Sequence, residues 1–225
     1  MFHLTQFDAL AGLLFIVTWF GYSWLVDRSN RGGQGLTARM AGFRRAWMNE
    51  MRARSNRIID GQINMTLQQG TAFFASTALL AVGACLTLLG ASDKAIEILS
   101  TLQPGEQPSR AVWELKVAGL TLIFVYAFFK FAWAYRLFNY CAILIGATPD
   151  REHADTEAGI AAANRAAAMN SIAARHFNRG QRAFFFALGY LGWFAGPIAF
   201  IVATAAVVVV LYRRQFASDS LDALA

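Results

Sequence analysis

Four stretches of this chain are apolar for long enough to cross a bilayer, and no other feature restricts its fold so severely. They cover residues 7–26, 71–90, 113–137 and 183–212, and the second and fourth contain no charged side chain. A helix needs about 20 apolar residues to cross a hydrocarbon layer of about 30 Å. Lipid offers no partner to backbone N–H and C=O groups, so only helices or closed barrels can span it. The runs therefore predict an all-α integral membrane protein with four transmembrane helices in a single membrane domain over 1–225. The fourth run is the longest, and Gly196-Pro197 predicts a kink in it, because proline removes a backbone donor and crowds the preceding turn. Composition agrees: 56% of residues are hydrophobic and only 15% charged, against about 25% charged in soluble domains.

The first run does not read as a cleaved leader. A secretory signal has a basic start and a small-residue cleavage site, whereas here no Lys or Arg precedes Phe7, and Trp19, Tyr22 and Trp24 crowd the far end. Such aromatics suit the headgroup level of a retained helix.

Charge orients the spans. The connection from Asp27 to Gly70 carries eight arginines against three acids, and the connection from Asn139 to Arg182 carries five more. The outer connection, 91–112, holds one Lys and one Arg. The positive-inside rule makes the two Arg-rich connections cytoplasmic, which suits a bacterial inner membrane. With four spans both termini then lie outside, so Arg45 and Arg179 fall inside and Gln103 and Ser218 outside. Arg213 and Arg214, directly after the last run, fit this arrangement poorly. The net charge of +6 belongs beside membrane headgroups, where each basic residue contributes about 1 kcal/mol. No nucleic-acid-binding module accompanies it.

The Arg-rich connections predict helices at 36–66 and 149–180. Leu36, Met40, Phe43, Trp47, Met51 and Ile58 recur at helical spacing, with Arg39, Arg44, Arg45, Arg52 and Arg57 mainly on the other side, the pattern of a basic amphipathic helix along the inner leaflet. In the third connection Thr148 and Pro149 suit the cap and first position of a helix. Ile160, Ala163, Ala167, Ser171 and Ala174 give it a small-residue stripe that packs on the Arg-rich helix or on a second subunit.

Catalytic and cofactor signatures are missing. Cys85 and Cys141 stand apart, His3, His153 and His176 lie outside the apolar runs, and no phosphate loop, nucleophile elbow or paired-histidine zinc motif occurs. No cofactor or metal is expected. His153, among acids, reads as the start of a helix. Lys130 is the ionisable residue that stands deepest in a run, and such residues are functional candidates. It either snorkels past Tyr126, Phe131 and Trp133 to the headgroups or attracts anions in a pore.

Several segments resemble a family of membrane proteins, domain-of-unknown-function family 599: Phe43-Arg44-Arg45-Ala46-Trp47-Met48, the run Trp133 to Tyr140, Ile145-Gly146, and Asn178 to Leu188 followed by Trp193 and Pro197. Phe185 stands where that family commonly has Tyr. The resemblance implies an integral membrane protein and supplies no catalytic residue. It concentrates interest on one cytoplasmic layer formed by Arg45, Trp47, Arg136, Asn139, Tyr140, Asn178, Gly180 and Arg182. There Asn139 and Tyr140 can bond backbone carbonyls, and Arg136 and Arg182 can clamp lipid phosphates or acids such as Glu152. The layer either locks helix ends together or binds an anion, an anionic lipid headgroup or a partner.

The expected function is that of a non-enzymatic membrane protein acting through assembly, as a homo-oligomer or as an accessory subunit. The alternative is a channel or transporter of small solutes, with anions foremost. Gly189, Gly192 and Gly196 would form a groove for another helix, from a second subunit or from this chain's first or third span. Ala75, Gly83 and Ala84 would form a second groove.

Overall fold

In the computed structural model, which describes residues 5–31, 33, 35–102 and 109–224, all regular structure is helical. The helices are α1 (Gln6–Arg31), α2 (Leu36–Ala53), α3 (Ile58–Gly90), α4 (Ser92–Leu102), α5 (Arg110–Gly146), α6 (Glu157–Leu191), α7 (Pro197–Phe216) and the single turn α8 (Asp219–Asp222). Four of them are long and apolar enough to cross a membrane: α1, α3, α5, and α7 with the turn that follows it.

Antiparallel α5 and α6 form the spine. Lys116 bonds the Trp193 carbonyl at one end, Phe131 lies against Gly180 in the middle, and Cys141 reaches the Ala166 carbonyl near the other end. A Cβ at Gly180 would lie 2.6 Å from the Phe131 ring, so only glycine admits this approach. Helix α3 runs antiparallel to α5, joined by Asn64 Nδ2 to the Phe138 carbonyl (2.9 Å) and by Phe74 stacked on Phe131 (5.4 Å). Helices α1 and α7 run parallel to α5 on the other flank of α6, where Phe15 meets Phe186, Tyr190 and Phe200. Exposed Phe7, Phe20, Phe73, Leu80, Leu122, Phe129 and Ile198 form the outer faces of these helices. An apolar exterior of that kind belongs in hydrocarbon or under a partner.

The apolar run at 183–212 is not one kinked helix. It holds the end of α6, a 3-10 turn at Gly192–Ala195, and α7 returning alongside. Gly196, at φ +124°, makes the reversal, and Pro197 occupies the first position of α7, where its missing N–H costs nothing. Gly189 and Gly192 face α7 itself: added Cβ atoms would meet Thr204 at 3.4 Å and the Ala199 carbonyl at 2.8 Å. The groove expected to receive another helix is thus filled by α7. Gly83, in the second expected groove, has open space in front of it.

This hairpin alters the disposition of the ends. Asp8 lies beside Lys116 and Trp193, whereas Gln215, at the far end of α7, accepts a hydrogen bond from Thr37 (3.0 Å). The described N-terminus and Ser218 therefore sit at opposite ends of the bundle, and Ser218 shares the Arg-rich end with Arg45 and Arg179. Both termini on one side, as four spans require, does not fit this hairpin. Gln103 lies outside the described residues.

The Arg-rich connections also differ from expectation. The helix expected over 36–66 breaks at residues 54–57, where Asn56 Oδ1 accepts the Ile58 N–H, and α3 starts there and runs unbroken to Gly90. Helix α2 stands against α6 and the end of α5: Met48 and Met51 are fully buried with Cys141, Ile145, Ala166 and Ala167. Ala167 of the expected small-residue stripe thus packs on the Arg-rich helix of the same chain, whereas Ile160 at the start of the stripe is exposed. Helix α6 begins at Glu157 behind Thr156, whose hydroxyl accepts the Gly159 N–H, while the Thr148 hydroxyl bonds back to Leu144. His153 belongs to a short 3-10 turn.

Candidate functional site

The Arg-rich end gathers four elements around one polar cavity. Gly35, at φ +84°, turns the chain from α1 into α2, and its backbone passes so close to Gln215 and Phe216 that a side chain would collide with them. Thr37, the first turn of α2, then links α7 through Gln215 and α6 through Asn178 Nδ2 (3.5 Å). Between these contacts lies a cavity of about 220 Å³ lined by Tyr22, Arg44, Asn178, Arg182, Arg214 and Gln215, with Val26, Met40 and Leu211 among its apolar walls. At about 30 Å³ per water it has room for about seven.

Three arginines line this cavity, and among the described residues no acidic side chain does. Arg182 is buried; its Nη2 lies 3.3 Å from Asp27 Oδ1, and its Nε is buried without a partner among the described residues. The other oxygen of Asp27 is held by Arg179 at 2.6 Å, so one carboxylate serves two guanidiniums. Arg44 Nε donates to Asn170 Oδ1 at 2.8 Å, and burial lowers the Arg44 pKa from its ordinary value. Arg214 is exposed and lies over the Phe185 ring at 5.2 Å. A phenylalanine there therefore offers a π face to the cation in place of a hydroxyl contact. Guanidinium forks arranged without a carboxylate in the cavity suit a multi-oxygen anion such as phosphate.

The residues expected in one layer divide among several places. Arg182 and Asn178 line the cavity. Gly180 seats Phe131. Trp47 Nε1 donates to the fully buried Asp60 at 2.7 Å, and Arg54 pairs with the same carboxylate at 2.6 Å, closing the α2–α3 corner. Asn139 accepts from Gln68 at 2.8 Å, and Tyr140 accepts from Arg136 at 2.6 Å, so neither caps a span, because α5 continues to Gly146. Arg136 is exposed and reaches no acid among the described residues. Arg182 meets Asp27 and not Glu152. Arg45 lies exposed along the α2–α6 groove with Arg175. Lys130 sits over the Tyr126 ring at 5.0 Å on the other flank of α1.

Sequence reasoning missed the acids that organise both ends. Asp27 and Asp60 carry the ion pairs just described. At the opposite end Asp8 Oδ1 accepts the Trp193 indole N–H at 2.7 Å and lies 3.4 Å from Lys116 Nζ, which also bonds the Trp193 carbonyl at 2.9 Å. A carboxylate and an ammonium inside apolar runs are each costly in lipid, and that cost was the available signal for pairing them. Arg44 and Arg52 were expected on the solvated side of α2. Instead Arg44 turns inward to Asn170, and Arg52 reaches Asp155 and the Ala154 carbonyl, because α2 stands between α6 and the connection that precedes it.

A family model described as "Protein of unknown function, DUF599" matches residues 10–220. Comparison with curated proteins and with solved structures returns no match.

Proposed function

The chain belongs to the DUF599 family of proteins of unknown function, and from that starting point we propose a non-enzymatic, multi-pass membrane protein that recognises a phosphate-bearing anion at its Arg-rich end. The supporting observation is the cavity lined by Arg44, Arg182 and Arg214 and, among the described residues, by no acidic side chain. The shared ligand chemistry is a phosphate group, free or on a lipid. The test titrates inorganic phosphate, and separately phosphatidylglycerol, into protein in neutral detergent while thermal unfolding is followed. Saturable stabilisation is expected, weakened in Arg44→Gln and Arg214→Gln; no saturable response, or one indifferent to both variants, overturns the reading.

In this proposal the Arg-rich end faces the cytoplasm of a bacterial inner membrane. Support comes from the positive-inside rule, which Arg213 and Arg214 now satisfy, since α7 ends beside Thr37. The N-terminus then lies outside and Ser218 inside. Action through assembly, as a homo-oligomer or an accessory subunit, is a second reading favoured by the exposed Gly83 and Ala84 on α3; Ala75 packs inward against the core. Native mass spectrometry from mild detergent tests it: a species heavier than the 24.7 kDa chain is expected, and a purely monomeric spectrum counts against it. The transport alternative is less favoured, because Phe131, Phe186 and Phe200 fill the bundle interior.

A further inference from the structure

Helix α1 leans on α6 and α7 and stands off from α5, which leaves a lateral cleft of about 380 Å³. Its walls are Ile16, Trp19 and Phe20 on one side and Leu122 and Tyr126 on the other, with Tyr190 at the base. This volume falls within the range of ligand sites, about 300–1,000 Å³. From Gly12 to Ser23 the cleft follows about 16 Å of α1, at a rise of about 1.5 Å per residue.

The two ends of the cleft differ. Toward Gly12 it is closed by Trp193, whose ring stacks on Phe200 at 4.9 Å and whose N–H is taken by Asp8. Toward Ser23 it ends beside Tyr126, which is partly exposed and meets Trp19 edge-on at 5.7 Å. Lys130 Nζ lies over the Tyr126 ring at 5.0 Å and makes no ion pair among the described residues. Arg179 stands at the same level, turned to Asp27 but still 35% exposed. An apolar slot closed at one end and flanked by cations at the other is complementary to one kind of molecule, an acyl chain bearing an anionic headgroup.

We propose that the α1–α5 cleft holds one acyl chain of an anionic phospholipid, with the headgroup phosphate at Lys130 and Arg179. The site is separate from the arginine cavity, which lies on the other flank of α1, and does not depend on that cavity binding anything. It gives Lys130 a role between the two first considered for it: the lysine rises to the headgroup level, and there it meets a particular lipid. A basic group at the membrane surface contributes about 1 kcal/mol toward an anionic lipid, which converts to about fivefold in affinity.

The experiment is native mass spectrometry of full-length protein in neutral detergent, with palmitoyl-oleoyl phosphatidylglycerol or the matching phosphatidylcholine added. One retained lipid is expected, phosphatidylglycerol being favoured about fivefold over phosphatidylcholine. Lys130→Gln should retain the lipid and lose the preference. Ser23→Phe, which fills the Ser23 end of the cleft, should lose the lipid. Equal retention of the two lipids by the parent overturns the headgroup assignment, and lipid retained by a folded Ser23→Phe overturns the cleft. Should Ser23→Phe not fold, phosphatidylglycerol brominated on its acyl chain decides the matter through quenching of tryptophan fluorescence. Quenching that disappears in Trp19→Phe supports the site, and quenching unaltered by that substitution refutes it. Inorganic phosphate should not displace the lipid. Displacement that is lost in Arg44→Gln would mean that the two sites are one, and would overturn their separation without touching the arginine cavity.

Discussion

Replacing Gly180 by alanine tests the close contact between α5 and α6 in the middle of the bundle. An added Cβ would lie 2.6, 2.8 and 2.9 Å from three atoms of the Phe131 ring. That ring cannot easily yield: it is fully buried, stacked on Phe74 at 5.4 Å and set against Phe177 and Phe184 at 5.6 and 6.1 Å. Overpacking of this kind costs about 1–3 kcal/mol. Glycine in a helix interior is itself worth about 0.5–1 kcal/mol less than alanine, so the raw effect mixes a loss with a gain. Gly61→Ala supplies the reference, since Gly61 also lies inside a long helix and has open space where its Cβ would stand. The propensity gain cancels in the comparison, and Gly180→Ala should be the less stable of the two by about 1–3 kcal/mol. Thermal unfolding of both variants in detergent measures the difference. Indistinguishable melting would refute the close approach of α5 and α6, as would failure of Phe131→Leu to recover stability in the Gly180→Ala background.

At the opposite end, Asp8→Asn or Lys116→Met alone should cost about 3–5 kcal/mol, because either leaves a buried charge without its partner. The double variant should recover much of that loss, and additive losses in a double-mutant cycle would refute the pairing. In intact cells, cysteines placed at Arg45 and Ser218 should label from the same side; labelling from opposite sides would refute the α6–α7 hairpin. Arg136→Ala should alter stability far less than Arg182→Ala, since Arg136 is exposed and, among the described residues, bonds Tyr140 alone; equal losses would contradict that. Burial, reinforced by the charges of Lys130, Arg179 and Arg175, lowers the His176 pKa from its ordinary 6.5. The unfolded chain then binds the proton first, so stability is complete above pH 6.5 and declines as pH falls below it. His176→Gln should flatten that decline in a pH series of melting temperatures, and an unaltered slope would dismiss His176 as its source.

Apolar run length and arginine placement made much of the architecture legible. Runs near 7–26, 71–90 and 113–137 became α1, α3 and α5, because about 20 apolar residues allow few other solutions. The run at 183–212 misled for a physical reason: its turn residues, Gly192-Trp193-Phe194-Ala195-Gly196, are as apolar as the helices they join, so hydropathy does not register the reversal. Two signals did register it. Gly196-Pro197 is as good a helix start as a kink, and Arg213 and Arg214 contradicted an outside C-terminus. The charge-rich half of α6 hid that helix as well, since only its last nine residues carry no charged side chain. At the site, the arginines were legible and their geometry was not. Helical spacing assigned Arg44 to a solvated face, and only the upright stance of α2 turns it toward Asn170.

The same reasoning accounts for how α1 is held. In hydrocarbon, helices gain little from hiding apolar surface, so close packing and polar contacts must fix them. Helix α1 has a packed middle, where Phe15 meets Phe186, Tyr190 and Phe200 and Trp19 stacks on Phe186. Its ends are set by two aspartates, Asp8 on Trp193 and Lys116, and Asp27 on Arg179 and Arg182. Both aspartates reach groups on α6 or on the turn that follows it, and only Asp8 also reaches α5, through Lys116 at its far end. Between those two ends α1 meets α5 through the edge-on pair of Trp19 and Tyr126, and the cleft lies beside that pair. Asp27 also divides the two candidate sites. By holding Arg179 and Arg182 together, it leaves Arg182 facing the cavity on one flank of α1 and Arg179 at the level of Lys130 on the other. A single carboxylate thereby neutralises part of two cationic sites without lining the arginine cavity.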